Sequence, residues 1–320
     1  MRPEALLDDT NRALIAGVLA DPRATHRRLA ADLGLNEVTV AARLRRLTEA
    51  GVLATTIAVD WRAAGYRHAA YLWVVCRDRP VVDVGEEISR LENVENVAVV
   101  LGAADLFVHA LVVDSDDALV DVRSSVSAVK GATVVEMNVV LRHYVHRTDV
   151  TKLPIAEPAL PALPDPVIEL DDLDQQICGE LASDARQSNR EIARTLGTSE
   201  RTVRARLKRL EDSGLVRIVA MVDRDASAEM FDRQVGAFVG IRTDGDVEGT
   251  AKALAAMPTV SSLTATSGDV ELYAIVNASS VDALSAQLLE DIRSLPSVTA
   301  TTAMVLGRAL RFGTRLRRLL

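Results

Sequence analysis

Between Glu200 and Asp212 the run ERTVRARLKRLED gathers Arg201, Arg204, Arg206, Lys208 and Arg209. Advancing 100° per residue from Val203, taken as core-facing, puts Arg201, Ala205 and Lys208 on the opposite side and Arg204 on its flank. Guanidinium and ammonium groups meet guanine edges or phosphates, and small side chains let a helix approach base edges. A second pattern is a glycine with an acid three residues on: Gly102-Ala103-Ala104-Asp105 and Gly268-Asp269-Val270-Glu271. The acid can meet an ammonium group, although a hairpin glycine followed by a solubilising acid has the same spacing and is the simpler reading. The five histidines are His26, His68, His109, His143 and His146. His143 and His146 have ligand spacing, but no Cys or acid lies close to them, so neither a metal nor another cofactor is expected. No Ser-His-Asp, Walker-type or paired-carboxylate constellation stands out, which argues against an enzyme.

The elements that must position these groups occur twice. A shift of 163 residues lays the 48 residues from Leu6 onto those from Glu169 with 18 identities and no gap. Asp8/Asp171, Arg23/Arg186, Gly34/Gly197, Thr39/Thr202, Val40/Val203, Arg43/Arg206, Leu47/Leu210 and Gly51/Gly214 are among the matches. In the second copy Asp171 is the expected cap of a first helix bearing Leu173, Ile177 and Leu181. Ser188-Asn189-Arg190-Glu191 has the capping-box form that opens a second helix. Gly197 suits its left-handed end, and Ser199 caps a third helix with Val203, Leu207 and Leu210 inward. That is a helix-turn-helix after a supporting helix. A small protein-contact bundle has the same periodicity, but a nearly all-positive face favours DNA.

The first copy keeps the inward Val40, Leu44 and Leu47 but places Val38 and Ala41 where the second has Arg201 and Arg204. Arg28 replaces Glu191, so its capping box is lost. The second copy is therefore the expected main DNA anchor, through Arg201, Thr202, Arg204, Arg206, Lys208 and Arg209. The first is a weaker partner of different specificity, through Thr39, Arg43, Arg45 and Arg46.

Behind each helical front the period shortens to that of strands. HAAYLWVVC, a helix near 82–91, VENVAVVL, DLFVHALVV, a helix near 116–129 and ATVVEMNVVL form one series. VGAFVGI, a helix near 247–257, VSSLTAT, VELYAIV, a helix near 281–295 and VTATTAMVL form the other. This β-α-β-β-α-β order is that of a ferredoxin-like module, whose bare sheet face must be covered. Pairing of the two modules within the chain covers it most simply. The expected α+β organisation is helix-turn-helix 1 over 1–53, regulatory module 1 over 54–147, a Pro-rich linker over 148–168, helix-turn-helix 2 over 169–217, and module 2 with a basic tail over 218–320.

The net charge of −8 over 320 residues does not exclude DNA, because it is unevenly distributed. Residues 23–53 carry +3 and residues 186–216 carry +4, so the remainder carries −15. Screening over roughly 8 Å at physiological salt keeps a distant acidic body from cancelling a basic face. Two cysteines, Cys76 and Cys178, fit a reducing cytosol rather than a disulfide scaffold, and no run reaches the length of a membrane span. A cytoplasmic protein with no membrane partner is expected.

LDDLD at 170–174, DARQSNREIARTLGTSERTVRARLKRLEDSGLV at 184–216 and GDVE at 268–271 resemble the leucine-responsive regulator (Lrp/AsnC) family. LDDTN, GLNEVTVAARLRRLTEAGVL and GAAD match more loosely. The resemblance implies a winged helix-turn-helix for double-stranded DNA, a connecting strand near 53–60 and 216–223, and a ferredoxin-like regulatory module. It further implies homo-oligomers and a small effector, often an amino acid, bound near the Gly-x-x-acid turn, here Gly268, Asp269 and Glu271, with Gly102 and Asp105 in the other copy. Family members ordinarily carry one copy and dimerise, whereas this chain resembles a covalent pseudo-dimer, for which an imperfectly palindromic operator is expected. Sirohaem decarboxylases resemble the same architecture and give an enzymatic alternative. Their histidines, tyrosine and arginine around the middle hairpin are matched here by His109 alone and no arginine, and absorbance titration with a tetrapyrrole separates the readings. A metabolite-binding module that uses its helices only for assembly is the third alternative.

Overall fold

A computed structural model describes residues 7–61, 66–113, 117–146, 170–222, 235–311, 313 and 315–316. The expected linker at 148–168, and Arg317 and Arg318 of the tail, lie outside them. The chain forms two compact units, which gather like parts of the two copies rather than keeping each copy together.

The first unit holds both helical fronts. In the first copy α1 is Asp9–Ala20, α2 His26–Leu33 and α3 Glu37–Glu49, followed by strand β1, Leu53–Asp60. Asp8, Thr25 and Asn36 cap the helices by accepting the backbone N–H groups of Asn11, Arg28 and Thr39. The second copy repeats this with α6 Asp172–Ser183, α7 Asn189–Thr195, α8 Glu200–Asp212 and strand β6, Val216–Val222. Asp171 and Ser188 both complete reciprocal capping boxes, with Asp174 and Glu191, and Ser199 caps α8. Gly34 and Gly197 take the left-handed backbone, at φ +65° and +64°, that the turn before each third helix needs.

Each helix trio closes on its own apolar core. Val40, Leu44 and Leu47 anchor α3, and Val203, Leu207 and Leu210 anchor α8, all buried. The two strands pair antiparallel from Leu53 opposite Val222 to Val59 opposite Val216. Through that pairing the copies exchange packing, since Val222 joins the first core and Ile57 the second. Arg23 and Arg186, matched in the repeat, make a reciprocal clamp. Arg186 donates to the carbonyls of Pro22 at 2.9 Å and Ala24 at 2.8 Å, while Arg23 donates to the carbonyl of Gln187 at 2.9 Å. Carbonyls in these turns have no helical partner of their own, so each arginine satisfies groups that burial would otherwise strand.

The second unit is a closed eight-stranded barrel built from both regulatory modules. Module one contributes β2 (Tyr66–Cys76), α4 (Val81–Ile88), β3 (Val94–Leu101), β4 (Leu106–Val113), α5 (Ala118–Ala128) and β5 (Ala132–His146). Module two contributes β7 (Val235–Thr243), α9 (Val247–Ala255), β8 (Val260–Thr266), β9 (Leu272–Ala278), α10 (Val281–Ala286, continuing as a π-helical stretch Gln287–Ile292) and β10 (Val298–Arg311). Around the barrel the order is β10-β3-β4-β2-β5-β8-β9-β7, so the seams between modules are β5 with β8 and β10 with β3.

Two strands are longer than expected. Residues 142–146, which the pattern placed past the last strand, continue β5 and pair with β8, His143 lying opposite Thr264 and Val145 opposite Leu263. Residues 307–311, which lie past the expected strand and include the first residues of the basic tail from Arg308, continue β10 along β3, with Ala309 opposite Ala98 and Arg311 opposite Val97. Alternation along β2 divides its side chains between two cores. Ala70, Leu72 and Val74 pack beneath α4 and α5. Tyr71 and Trp73 face the other module, where Trp73 meets Phe238 at 5.4 Å and Tyr273 at 5.5 Å between ring centroids. The bare sheet faces thus cover each other. No helix among the described residues is long and apolar enough to cross a membrane.

Candidate nucleic-acid interface

The expected DNA-contacting residues divide into those left free and those used by the fold. Arg201 and Arg204 are exposed on α8, and among the described residues neither makes an ion pair or side-chain hydrogen bond. Lys208 is exposed but folded back on Asp212 one turn later, at 2.8 Å. Arg209 pairs with Asp174, and half-buried Thr202 is tied to the Ser199 cap through its backbone and hydroxyl. In the first copy Arg46 is exposed without an ion pair among the described residues, and Arg45 lies 3.9 Å from Glu49. Thr39 N–H is held by Asn36 at 2.7 Å.

Arg206 and Arg43 have a different placement from the one their charge suggested. Arg206 Nη1 lies 2.5 Å from Asp171 Oδ2 and 2.9 Å from Asp174 Oδ1, tying α8 to the N-terminus of α6. Arg43 makes the matching bonds to Asp8 at 2.7 Å and Asn11 at 3.1 Å. The side chain of Arg206 keeps only 28% of its exposure. Two carboxylates already occupy its guanidinium, so it orients the recognition helix and is poorly placed to reach a base. The repeat carried the signal for this role: Asp8 and Arg43, and again Asp171 and Arg206, are 35 residues apart and retained together in both copies.

These bonds leave an electrostatic mark. Arg206 holds the carboxyl of Asp171 down at about 2, helped by the backbone N–H of Asp174, and Arg43 lowers that of Asp8 in the same way. A carboxyl whose folded pKa lies below its unfolded value stabilises the fold while ionised. Its contribution is complete above about pH 4 and disappears as the pH falls to about 2. Asp171→Asn should therefore be less resistant to urea than the wild type at pH 7, and the gap should close between pH 4 and 2. A gap that stays constant over that range, followed by far-UV circular dichroism, contradicts this role.

The candidate effector residues lie in the barrel unit. Glu271 Oε2 accepts the backbone N–H of Thr243 at 3.1 Å, and Asp105 Oδ2 accepts that of Cys76 at 2.7 Å. Each acid therefore staples the end of its module's first strand. Asp269 is the accessible acid, its side chain 89% exposed and 3.5 Å from Arg242. Gly268, at φ +110°, lies against Asn138, whose Nδ2 leaves no room for a Cβ there. Asn138 donates to the Ser267 carbonyl at 2.8 Å and to Glu136, and Glu136 also accepts from the Tyr273 hydroxyl at 3.2 Å. At the other turn Gly102 meets Met304. Polar Glu136 and Asn138 on β5 were not singled out from the sequence, because only the inter-module seam brings them to the turn. Among the described residues no group of three or more His, Cys, Asp or Glu is arranged to hold a metal ion.

Comparison with known proteins agrees with this geometry. A model of the AsnC-type helix-turn-helix domain matches residues 7–48 and 170–211, and one of the Lrp/AsnC ligand binding domain matches residues 236–315. The HTH-type transcriptional regulator Rv2324 of Mycobacterium tuberculosis is 30% identical over 142 residues, 42% of this chain and 96% of its own length. Regulatory protein AsnC of Escherichia coli is 25% identical over 138 residues, covering 42% of this chain and 89% of its own. The crystal structure of the siroheme decarboxylase NirDL superposes over 98% of this chain and 94% of its own with a TM-score of 0.62. Its 15% sequence identity makes that a likeness of fold alone. With the same helix-turn-helix present twice and a ligand-binding module behind it, the chain belongs to the Lrp/AsnC family of transcriptional regulators.

Proposed function

We propose that the chain is a sequence-specific DNA-binding regulator acting as an intrachain pseudo-dimer, able to assemble further with its own copies, and not an enzyme. Its two helix-turn-helix copies engage one duplex together. The observation that carries this reading is the pair Arg201 and Arg204, exposed on α8 and without an ion pair among the described residues, in a unit where Arg23 and Arg186 hold the two copies to each other. Arg46, Arg45, Lys208 and Arg209 supply phosphate contacts; the exposed ion pairs of Arg45 with Glu49 and Lys208 with Asp212 exchange for phosphate at little cost, while buried Asp174 keeps Arg206 when Arg209 turns outward. Thr39 and Thr202 set the helix starts against the groove. Arg43 and Arg206 act indirectly, by holding α3 and α8 at their angle.

A small effector, an amino acid or related metabolite, is the proposed ligand of the barrel unit. Gly268, Asp269 and Glu271 form its main turn, with accessible Asp269 offered to an ammonium group. Gly102 and Asp105 form the lesser one, where alanines stand between the glycine and the acid and Met304 replaces Asn138 as the neighbour.

An electrophoretic mobility series on DNA upstream of the chain's own gene tests the DNA reading. Retardation should weaken steeply with salt, the slope of log affinity against log salt being about −0.9 for every phosphate neutralised. Absence of any shift at low salt overturns it.

A further inference from the structure

Helices α3 and α8 are the same length, have the same kind of cap and the same three buried anchors, so their exposed faces correspond position by position. Val38 stands for Arg201, Ala41 for Arg204 and Ala42 for Ala205. The chemistry of the first half of each helix is therefore opposite. On α8 two exposed guanidinium groups project from it, neither in an ion pair among the described residues. On α3 the same positions are apolar, and Val38 is 80% exposed, the highest value among the exposed large hydrophobic side chains described. A single exposed valine is unremarkable on an ordinary surface. Here it is flanked by two alanines that leave the helix backbone close to its surroundings, and Arg45 and Arg46 follow one to two turns later as phosphate ligands.

We propose that the two recognition helices read unlike half-sites: α3 a thymine-bearing half, through the apolar patch of Val38, Ala41 and Ala42, and α8 a guanine-bearing half, through Arg201 and Arg204. This rests on the DNA-binding reading above. The thymine 5-methyl is the apolar group that the major groove displays, and it is the groove feature an apolar side chain can select. Arginine finds its best match at guanine O6 and N7. The fused chain makes this division useful. In a homodimer both helices change together, whereas here the β1–β6 pairing and the Arg23/Arg186 clamp fix two different helices in one unit.

The test uses the full chain and sites selected from random double-stranded DNA. Selection should yield an asymmetric site, and atomic replacements should act on one half each. Uracil for thymine, which removes only the methyl, should weaken binding about fourfold for each contacted methyl in the α3 half. 7-Deazaguanine, which removes the N7 acceptor, should weaken it about tenfold or more in the α8 half. The double variant Val38→Arg, Ala41→Arg should select a more nearly symmetric site with guanine in both halves, and since Val38 is exposed the fold should tolerate the change. Two identical half-sites selected by the wild type, or indifference to uracil throughout the α3 half, overturn the proposal and leave the DNA reading standing. Failure of the wild type to retain any DNA at low salt overturns that reading itself.

Discussion

Replacing Arg201 and Arg204 together with alanine should lower affinity for a selected operator by roughly a thousandfold while leaving the fold intact. Each arginine is exposed and forms no ion pair among the described residues, so its removal strands no partner. A well-aligned arginine on guanine accounts for about 1–3 kcal/mol of discrimination, and two such contacts combine to a loss of that size. The form of the loss matters as much as its extent. If the pair reads bases, the variant should lose preference for guanine at two positions, whereas simple phosphate contacts would weaken all sequences alike and flatten the salt slope by about one unit each. Arg45→Ala with Arg46→Ala should show the second pattern and a smaller effect. Quantitative binding to matched and mutated operators at three salt concentrations distinguishes the two. Unchanged affinity of the Arg201/Arg204 variant, with abolition by the Arg45/Arg46 variant, would reverse the ranking of the two helices.

The second large effect concerns stability. Trp73→Ala should destabilise the barrel unit by about 3–5 kcal/mol, the range for removing a buried tryptophan from a packed core. Its ring is 2% exposed and touches Phe107 within its own module and Phe238 and Tyr273 across the interface. The register shows why nothing fills the gap. Trp73 lies opposite Phe107 on β4 and Glu136 on β5; in the second module the residue so placed, between Tyr273 on β9 and Thr302 on β10, is Gly240. A Cβ on Gly240 would come within 2.8 Å of Thr302 Oγ1 and 3.2 Å of Tyr273 Cε1. At equivalent positions one module thus carries the large ring and the other a glycine. Gly240→Ala should destabilise as well, through crowding instead of a void. Thermal unfolding, with Phe238→Leu as a milder comparison, checks this, and a Trp73→Ala loss below about 1 kcal/mol would mean the seam re-forms without the ring.

Local chemistry made much of this legible in the sequence. Asp171, Ser188 and Ser199 announced three helix starts, and Gly197 a turn, because caps and left-handed glycines act within four residues of themselves. Val203, Leu207 and Leu210 gave the core face, and the strand order of both modules followed from alternation. What stayed hidden depended on contacts far apart in the chain. Residues 142–146 and 307–311 extend their strands along an edge that the opposite module supplies, and neither RHYVH nor GRALR alternates apolar with polar side chains. The basic residues of α8 could be placed on a face by periodicity, but charge does not reveal which of them an acid 35 residues away already holds. The sequence therefore groups Arg206 with Arg201, and the ion pair to Asp171 separates them. Glu136 and Asn138 reach the Gly268 turn only across a seam, which no local pattern encodes.

Because β5 joins β8 and β10 joins β3 inside one polypeptide, the barrel forms without a meeting of two molecules. A single-copy relative that dimerises through this surface must do so by a second-order step, and when it is scarce its paired fraction falls in proportion to dilution and its dimer concentration with the square. Here the partner module is tethered at a fixed effective concentration. Pairing is first order, so the fraction of chains with a complete barrel is independent of how much protein a cell holds. On the pseudo-dimer reading, a chain needs no prior encounter with a second copy before it meets DNA, and only assembly beyond one chain depends on concentration.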